Sequence, residues 1–142
     1  MRRELQLVRE PLSEEALRRR EAGGQPTTGA IVRFLGIVRG TEAGAPILAL
    51  DYEAFEPMVV HQFGKLFDEM ERRWPAVEAV RLIHRLGRVE AGEASLWVEV
   101  VSPHRGEAFE SCQWLIDRMK EVVPIWKKAV PADGALRGNT PS

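Results

Sequence analysis

Six cationic side chains stand where solubility alone gives little reason for them: Arg39, His104, Arg105, Lys120, Lys127 and Lys128. Arg39 ends the apolar run "FLGIVRG" and leads into a glycine-bearing turn, a position from which a buried scaffold can present one charge to a ligand. His104 and Arg105 come just before a helix predicted from Gly106 to Val122, whose free N–H groups favour an anion. Lys120 lies near the end of that helix, beside its apolar stripe, and Lys127 and Lys128 interrupt the apolar run "VVPIWKKAV". Brought together, Arg39, Arg105, Lys120 and Lys127 would bind an anionic substrate. A lysine crowded by positive charge or partly desolvated also gives up its proton more readily, and can then act as acid, base or nucleophile. Each has a plainer alternative: a solvated strand end for Arg39, a capping turn for His104-Arg105, and for Lys120 a stem lying on the core with its head in water.

Spacing separates the adjacent lysines. Along a strand, Lys127 shares a face with Ile125 and Ala129, whereas Lys128 shares the other with Trp126 and Val130, so only one of them reaches a given pocket. Length constrains the rest. Gly106 to Lys120 spans roughly 20 Å of helix at about 1.5 Å per residue, too far for both ends to grip one small molecule, so a site using all of them predicts a dimer with composite pockets. Other polar residues are weaker candidates. His61 is expected in solvent, His84 to pack or hydrogen-bond, and Asp51 with Glu53 to pair across a sheet. Cys112 falls on a buried stripe, where a thiol behaves as a small apolar residue and makes a poor sulfur carrier.

The elements that must position these residues belong to one domain over 1–142, a length that supports a single core. Lysine plus arginine (20) nearly balance aspartate plus glutamate (21), so no global field draws the chain to nucleic acid or to an anionic membrane surface. No apolar stretch approaches a membrane span, and the expected location is cytoplasmic. One cysteine and three scattered histidines predict neither a disulfide nor a metal or cofactor site.

Periodicity sets the order β-α-β-β-α-β-β-α-β, an α+β fold with a mostly antiparallel sheet and packed helices. "ELQLVRE" is a first strand, and "PLSEEALRRREAGG" a helix capped by Ser13, stapled by Leu12 on Leu17 and closed by Gly23. "TTGAIVRFLGIVRG" reads as a strand covered on both faces, Thr41–Pro46 as a loop, and "ILALDYEAFE" as another strand before a helix opened by Pro57. That helix presents Val59, Phe63, Leu66, Phe67, Met70 and Trp74 at helical spacing. The stretch 79–102 reads as two strands turning at "EAGEA", and the last helix as burying Phe109, Cys112, Ile116 and Met119. From about 131 the tail is polar, rich in turn residues and expected to be flexible.

The segments "FLGIVRG", "LDYEAFEPM", "IHRLGRVEAGEASLWVEVVSPHRGEAFESC" and "DRMKEVVPIWKK", in this order between about Thr28 and Lys128, resemble the large, catalytic subunit of molybdopterin synthase. The resemblance implies an α/β hammerhead-type fold and a sulfurtransferase in molybdenum cofactor biosynthesis. The implied reaction inserts two sulfurs into cyclic pyranopterin monophosphate (precursor Z) to give molybdopterin. The sulfur comes from the C-terminal thiocarboxylate of a small ubiquitin-like subunit whose Gly-Gly tail enters the pocket. The implied assembly is a heterotetramer around a dimer of large subunits.

Residue by residue, the resemblance implies that Ile37, Val38 and Arg39 line the substrate site and that His104 and Arg105 hold phosphate or pterin. It makes Lys120 and Lys127 catalytic, with Lys128 and Ala129 completing the contact segment. The chain departs from the family pattern at Ala129, where Glu is usual, and in a tail lacking the expected tryptophan and later arginine, for which Arg137 is a candidate substitute. Ala129 keeps an alternative open: a non-catalytic dimeric module using the same basic pocket for a phosphorylated ligand or a protein tail.

Overall fold

The computed structural model describes residues 1–19, 25–132 and 139–141. Its strands form two sheets. In the first, β1 (Arg2–Val8) lies parallel to β5 (Ala79–Arg85), β5 antiparallel to β7 (Ala94–Ser102), and β7 antiparallel to β2 (Ala30–Ile37). In the second, β4 (Ala45–Ala54) pairs on one edge with β8 (Ile125–Pro131) and on the other with β3 (Thr41–Glu42) and β6 (Gly87–Glu90). β9 (Asn139–Pro141) then adds to β8. Every pair but one is antiparallel, in keeping with the α+β expectation. Among the described residues the helices are α1 (Glu14–Arg19), α2 (Glu56–Arg73) and α3 (Arg105–Val122), and none of them is long and apolar enough to cross a membrane.

Local signals explain most of these elements. The Ser13 hydroxyl accepts from the Ala16 N–H at 3.2 Å and starts α1, and Leu12 packs on the small cluster of Leu17, Ile83 and Trp97. Gly23 lies outside the described residues. Pro57 sits in the first turn of α2, where its missing N–H costs nothing, and Val59, Phe63, Leu66, Phe67 and Met70 are all buried.

Five expectations need correction. β2 is not covered on both faces: it is the edge of its sheet, with Phe34 and Ile37 exposed, and the fully covered strands are β5 and β7. Thr41–Pro46 is not a loop but a tight hairpin, Thr41 opposite Pro46 and Glu42 opposite Ala45. The stretch 79–102 makes three strands, because Gly87 at φ 81° breaks the first and sends β6 into the other sheet. On α3 Cys112 and Met119 are buried as expected and Ile116 packs half-buried on the core, but Ala108, Ser111 and Leu115 complete the buried stripe and Phe109 is left 61% exposed. Asp51 lies opposite Arg88 and Lys128 as a cross-strand partner should, but Glu53 lies opposite Trp126 and finds no cation there. As for the tail, 133–138, with Arg137, and 142 lie outside the described residues, while 139–141 runs along Trp126–Lys128.

Candidate active site

A cavity of about 280 Å3 opens where the two sheets and the end of α3 meet. Its position follows from an irregularity in β2. The register with β7 slips between Gly36 and Ile37, and such a bulge turns the following residues out of the sheet. A side chain at Gly36 would meet the Leu96 Cβ at 3.3 Å, so glycine suits the bend. Ile37, Val38 and Arg39 thereby form one wall, with Val38 anchored by its N–H to the Glu93 carbonyl at 2.9 Å and by its carbonyl to the Gly92 N–H at 2.8 Å.

The opposite wall carries the two lysines. Lys120, in the last turn of α3 where a cation suits the helix dipole, borders the cavity. Lys127 enters from β8, held between β4 and β9 by its pairing with Tyr52 and Thr140. The alternation expected for the lysine pair is the one β8 adopts: Lys127 lines the cavity with its side chain 22% exposed, whereas Lys128 projects into solvent beside Trp126. Ala129 is buried on the Lys127 side but lies under the core and not at the cavity wall.

Three cations therefore face one opening. Arg39 and Lys120 make no ion pair with any described residue, while the Lys127 ammonium lies 3.4 Å from Glu42 Oε2, the only carboxylate among the described lining residues. Unpaired cations around a partly enclosed space are a receptor for an anion. His104 and Arg105 are not there. They are exposed at the other end of α3, with His104 the extended N-cap residue, so a single chain does not join them to Lys120 and Lys127.

The cavity floor holds residues to which the sequence alone gave a packing role or no role. His84 is 3% exposed, and its Nδ1 lies 2.6 Å from the Arg85 carbonyl. A carbonyl only accepts, so Nδ1 carries the proton and Nε2 the lone pair. Burial, with a smaller contribution from the Lys120 charge, lowers the His84 pKa to about 4, so the ring is neutral at pH 7. Its edge meets Tyr52 at 5.0 Å between centroids. The Tyr52 hydroxyl donates to Ser95 (3.3 Å) and Ser95 to the Gly36 carbonyl (3.4 Å); burial pushes the tyrosine pKa up, against a lowering by Ser95 and with a small rise from Glu42. These groups shape the site and keep it from adding charge to the cation set. Cys112, as expected, is buried, and burial pushes its thiol up to about 11, unsuited to carrying sulfur.

The MoaE protein family model matches residues 7–122. A molybdopterin synthase catalytic subunit of Staphylococcus carnosus is 37% identical over 133 residues, 94% of this chain and 87% of that protein. One from Nostoc is 41% identical over 107 residues, 75% of this chain and 65% of that protein, so the match spans just under two thirds of that relative. Among solved structures, molybdopterin synthase from Staphylococcus aureus superposes with a TM-score of 0.82 at 34% identity, covering 94% of this chain and 96% of that one. A chain in the complex of subunits 1 and 2 of molybdopterin-converting factor from Helicobacter pylori gives 0.69 at 25% identity, covering 91% and 86%.

Proposed function

Because the chain belongs to the MoaE protein family, we propose that it is the catalytic, sulfur-transferring subunit of a molybdopterin synthase in molybdenum cofactor biosynthesis. Its substrate is precursor Z, and its sulfur donor is the C-terminal thiocarboxylate of a small ubiquitin-like subunit. The two-subunit assembly of the Helicobacter pylori relative supports a small-subunit partner. On this reading the chain works in the cytoplasm, as its similarity to biosynthetic enzymes supports.

The observation that carries this reading is the cation set: Arg39, Lys120 and Lys127 converge on one cavity with a single carboxylate among them. Both reactants are anions, a thiocarboxylate and a phosphorylated pterin, and a partly enclosed pocket with cations on its walls holds them together. Arg39 orients the anion, Lys120 handles protons as the thiocarboxylate sulfur adds, and Lys127 stabilises the negative charge that develops on oxygen. Ile37 and Val38 give the apolar wall against which the pterin lies.

His104 and Arg105 serve the pocket of a second copy. Between the cavity and their end of α3 lies an apolar depression lined by Val32, Phe34, Phe109 and Ile116, and Phe34 borders both spaces. Such a patch, continuous with the site, suits the face of a dimer that brings the partner's helix start to the mouth. The deciding experiment combines the purified chain, a thiocarboxylated small subunit and precursor Z, and measures molybdopterin as its fluorescent oxidation product. Product formation supports the reading; a folded protein that binds the small subunit but makes no product overturns it in favour of a binding module.

A further inference from the structure

We infer that Glu42 is a positioning residue for Lys127: its carboxylate holds the ammonium at the cavity wall and keeps it aimed into the site while an incoming anion competes for it. The inference rests on the reading of Lys127 as a working residue.

Glu42 and Lys127 come from separate elements. Pairing on both edges of β8 fixes the Lys127 backbone, but its four-carbon stem leaves the ammonium free to sweep. Glu42 removes that freedom from the opposite side, 3.4 Å from Nζ, with the two side chains 26% and 22% exposed. The hairpin that carries it is itself closely specified. Its two turn residues, Ala43 and Gly44, both have positive φ (51° and 79°), as a two-residue turn between twisted strands requires. An alanine in that region is uncommon and persists where its surroundings insist on it. The Ile47 N–H to the Gly40 carbonyl (3.0 Å) and the Ala132 N–H to the Pro46 carbonyl (3.2 Å) tie the hairpin at its base and to the end of β8. The carboxylate is thus delivered to the lysine by a tethered turn.

Charge balance gives the pair its purpose. Without Glu42, Arg39, Lys120 and Lys127 would face one another with no described counter-ion in the cavity, and the flexible lysine would swing away from its like charges. With Glu42 the ammonium is held at the wall, and an anion entering the site has to compete for it. Glu42 therefore weakens anion binding while improving the geometry of the bound state, a trade that raises turnover.

The test is a steady-state comparison of Glu42→Gln, Glu42→Ala and Glu42→Asp in the complete two-subunit enzyme, with a parallel set in a Lys127→Ala background. Glu42→Gln is expected to lower kcat about tenfold and to leave KM for precursor Z equal or lower, because the competing charge is gone. Glu42→Asp recovers part of kcat, and in the Lys127→Ala background Glu42→Gln changes kcat by less than about twofold. Where Lys127→Ala strongly lowers activity, an unchanged kcat in Glu42→Gln, or an undiminished effect without Lys127, overturns the inference. The Lys127 ammonium signal in side-chain NMR separates this from the functional reading. Its broadening in Glu42→Gln, in an enzyme that Lys127→Ala leaves active, would keep the positioning and discard the catalytic role of the lysine; a signal indifferent to Glu42 discards the positioning.

Discussion

On the outer face of the first sheet, Glu99 is 1% exposed and sits between two arginines, 2.8 Å from Arg33 Nε and 3.5 Å from Arg81 Nε. Arg81 also donates to the Leu17 carbonyl, faces Glu4 at 4.0 Å and lies over the Trp97 ring at 5.8 Å. At the junction of the sheets, Arg39, Lys120 and Lys127 surround open space, and of the three only Lys127 meets a carboxylate among the described residues. Both regions gather charge at the edge of a core, yet in the first each charge is answered by protein, and in the second the answer has to come from outside. Pairing, more than the presence of charge, separates a group that holds the fold from one that meets a ligand.

That contrast predicts opposite responses. Lys127→Ala should lose at least about a hundredfold in kcat, as removal of an electrostatic group at a reacting centre does, with unfolding in denaturant close to wild type. Glu99→Ala should do the reverse. Leaving two arginines without their buried partner costs about 3–5 kcal/mol, read from the denaturation midpoint, while the protein that remains folded keeps most of its activity. If Glu99→Ala removed activity without loss of stability, or Lys127→Ala mainly lowered stability, the two regions would have been assigned the wrong way round.

A second prediction asks whether the missing charge of the open site includes a second copy. An Arg105→Ala chain and a Lys120→Ala chain, each inactive alone, should regain activity after mixing and subunit exchange. Half the dimers are then mixed and carry one intact pocket of two, so recovery approaches about a quarter of wild type. No recovery once exchange is demonstrated by mass would place the whole site within one chain.

His84 tests the comparison between its extremes, since it borders the cavity but is as buried as the Glu99 cluster. Its pKa is near 4 folded against 6.5 unfolded, so the unfolded chain takes up a proton between those values and the folded chain does not. Stability should therefore be full above about pH 6.5, fall as the pH drops, and level off below about 4. Over the whole window the loss is about 3–4 kcal/mol, 2.5 pH units at about 1.4 each. His84→Gln removes this component, so its urea midpoint should change less than wild type between pH 7.5 and 5. Parallel slopes would mean that the ring accepts a proton in the folded protein.

What could be read in advance follows the same division between local and long-range determinants. The face of Lys127 was legible because strand alternation is local, and the α2 stripe because only one face of that helix is apolar. On α3 the sequence offers two adjacent stripes, and Phe109 with Ile116 is as apolar as Ala108 with Leu115. Periodicity does not choose between a core-facing stripe and one that covers a neighbour. β2 misled for the same reason, since an edge strand with an apolar outer face resembles a buried one. The hairpin that delivers Glu42 was missed because its turn uses Ala43 in place of the asparagine or aspartate that would signal it. His84 and Ser95 reach the cavity only through the meeting of two sheets, and no spacing along the chain encodes that. The one available signal for Glu42 was an isolated acid three residues after Arg39.

The smallest predicted effect is the most exacting for the site. Lys128 differs from Lys127 by one position and by the face it takes: it lies across from Asp51, exposed, with no part in the cavity wall. An exposed cross-strand pair contributes roughly 0.2–1 kcal/mol, so Lys128→Ala should move the midpoint only slightly and lower kcat by less than about threefold. If it matched Lys127→Ala, the field of the whole strand would matter more than the aim of one ammonium. A mild effect beside a severe one assigns the chemistry to the face that alternation gives Lys127.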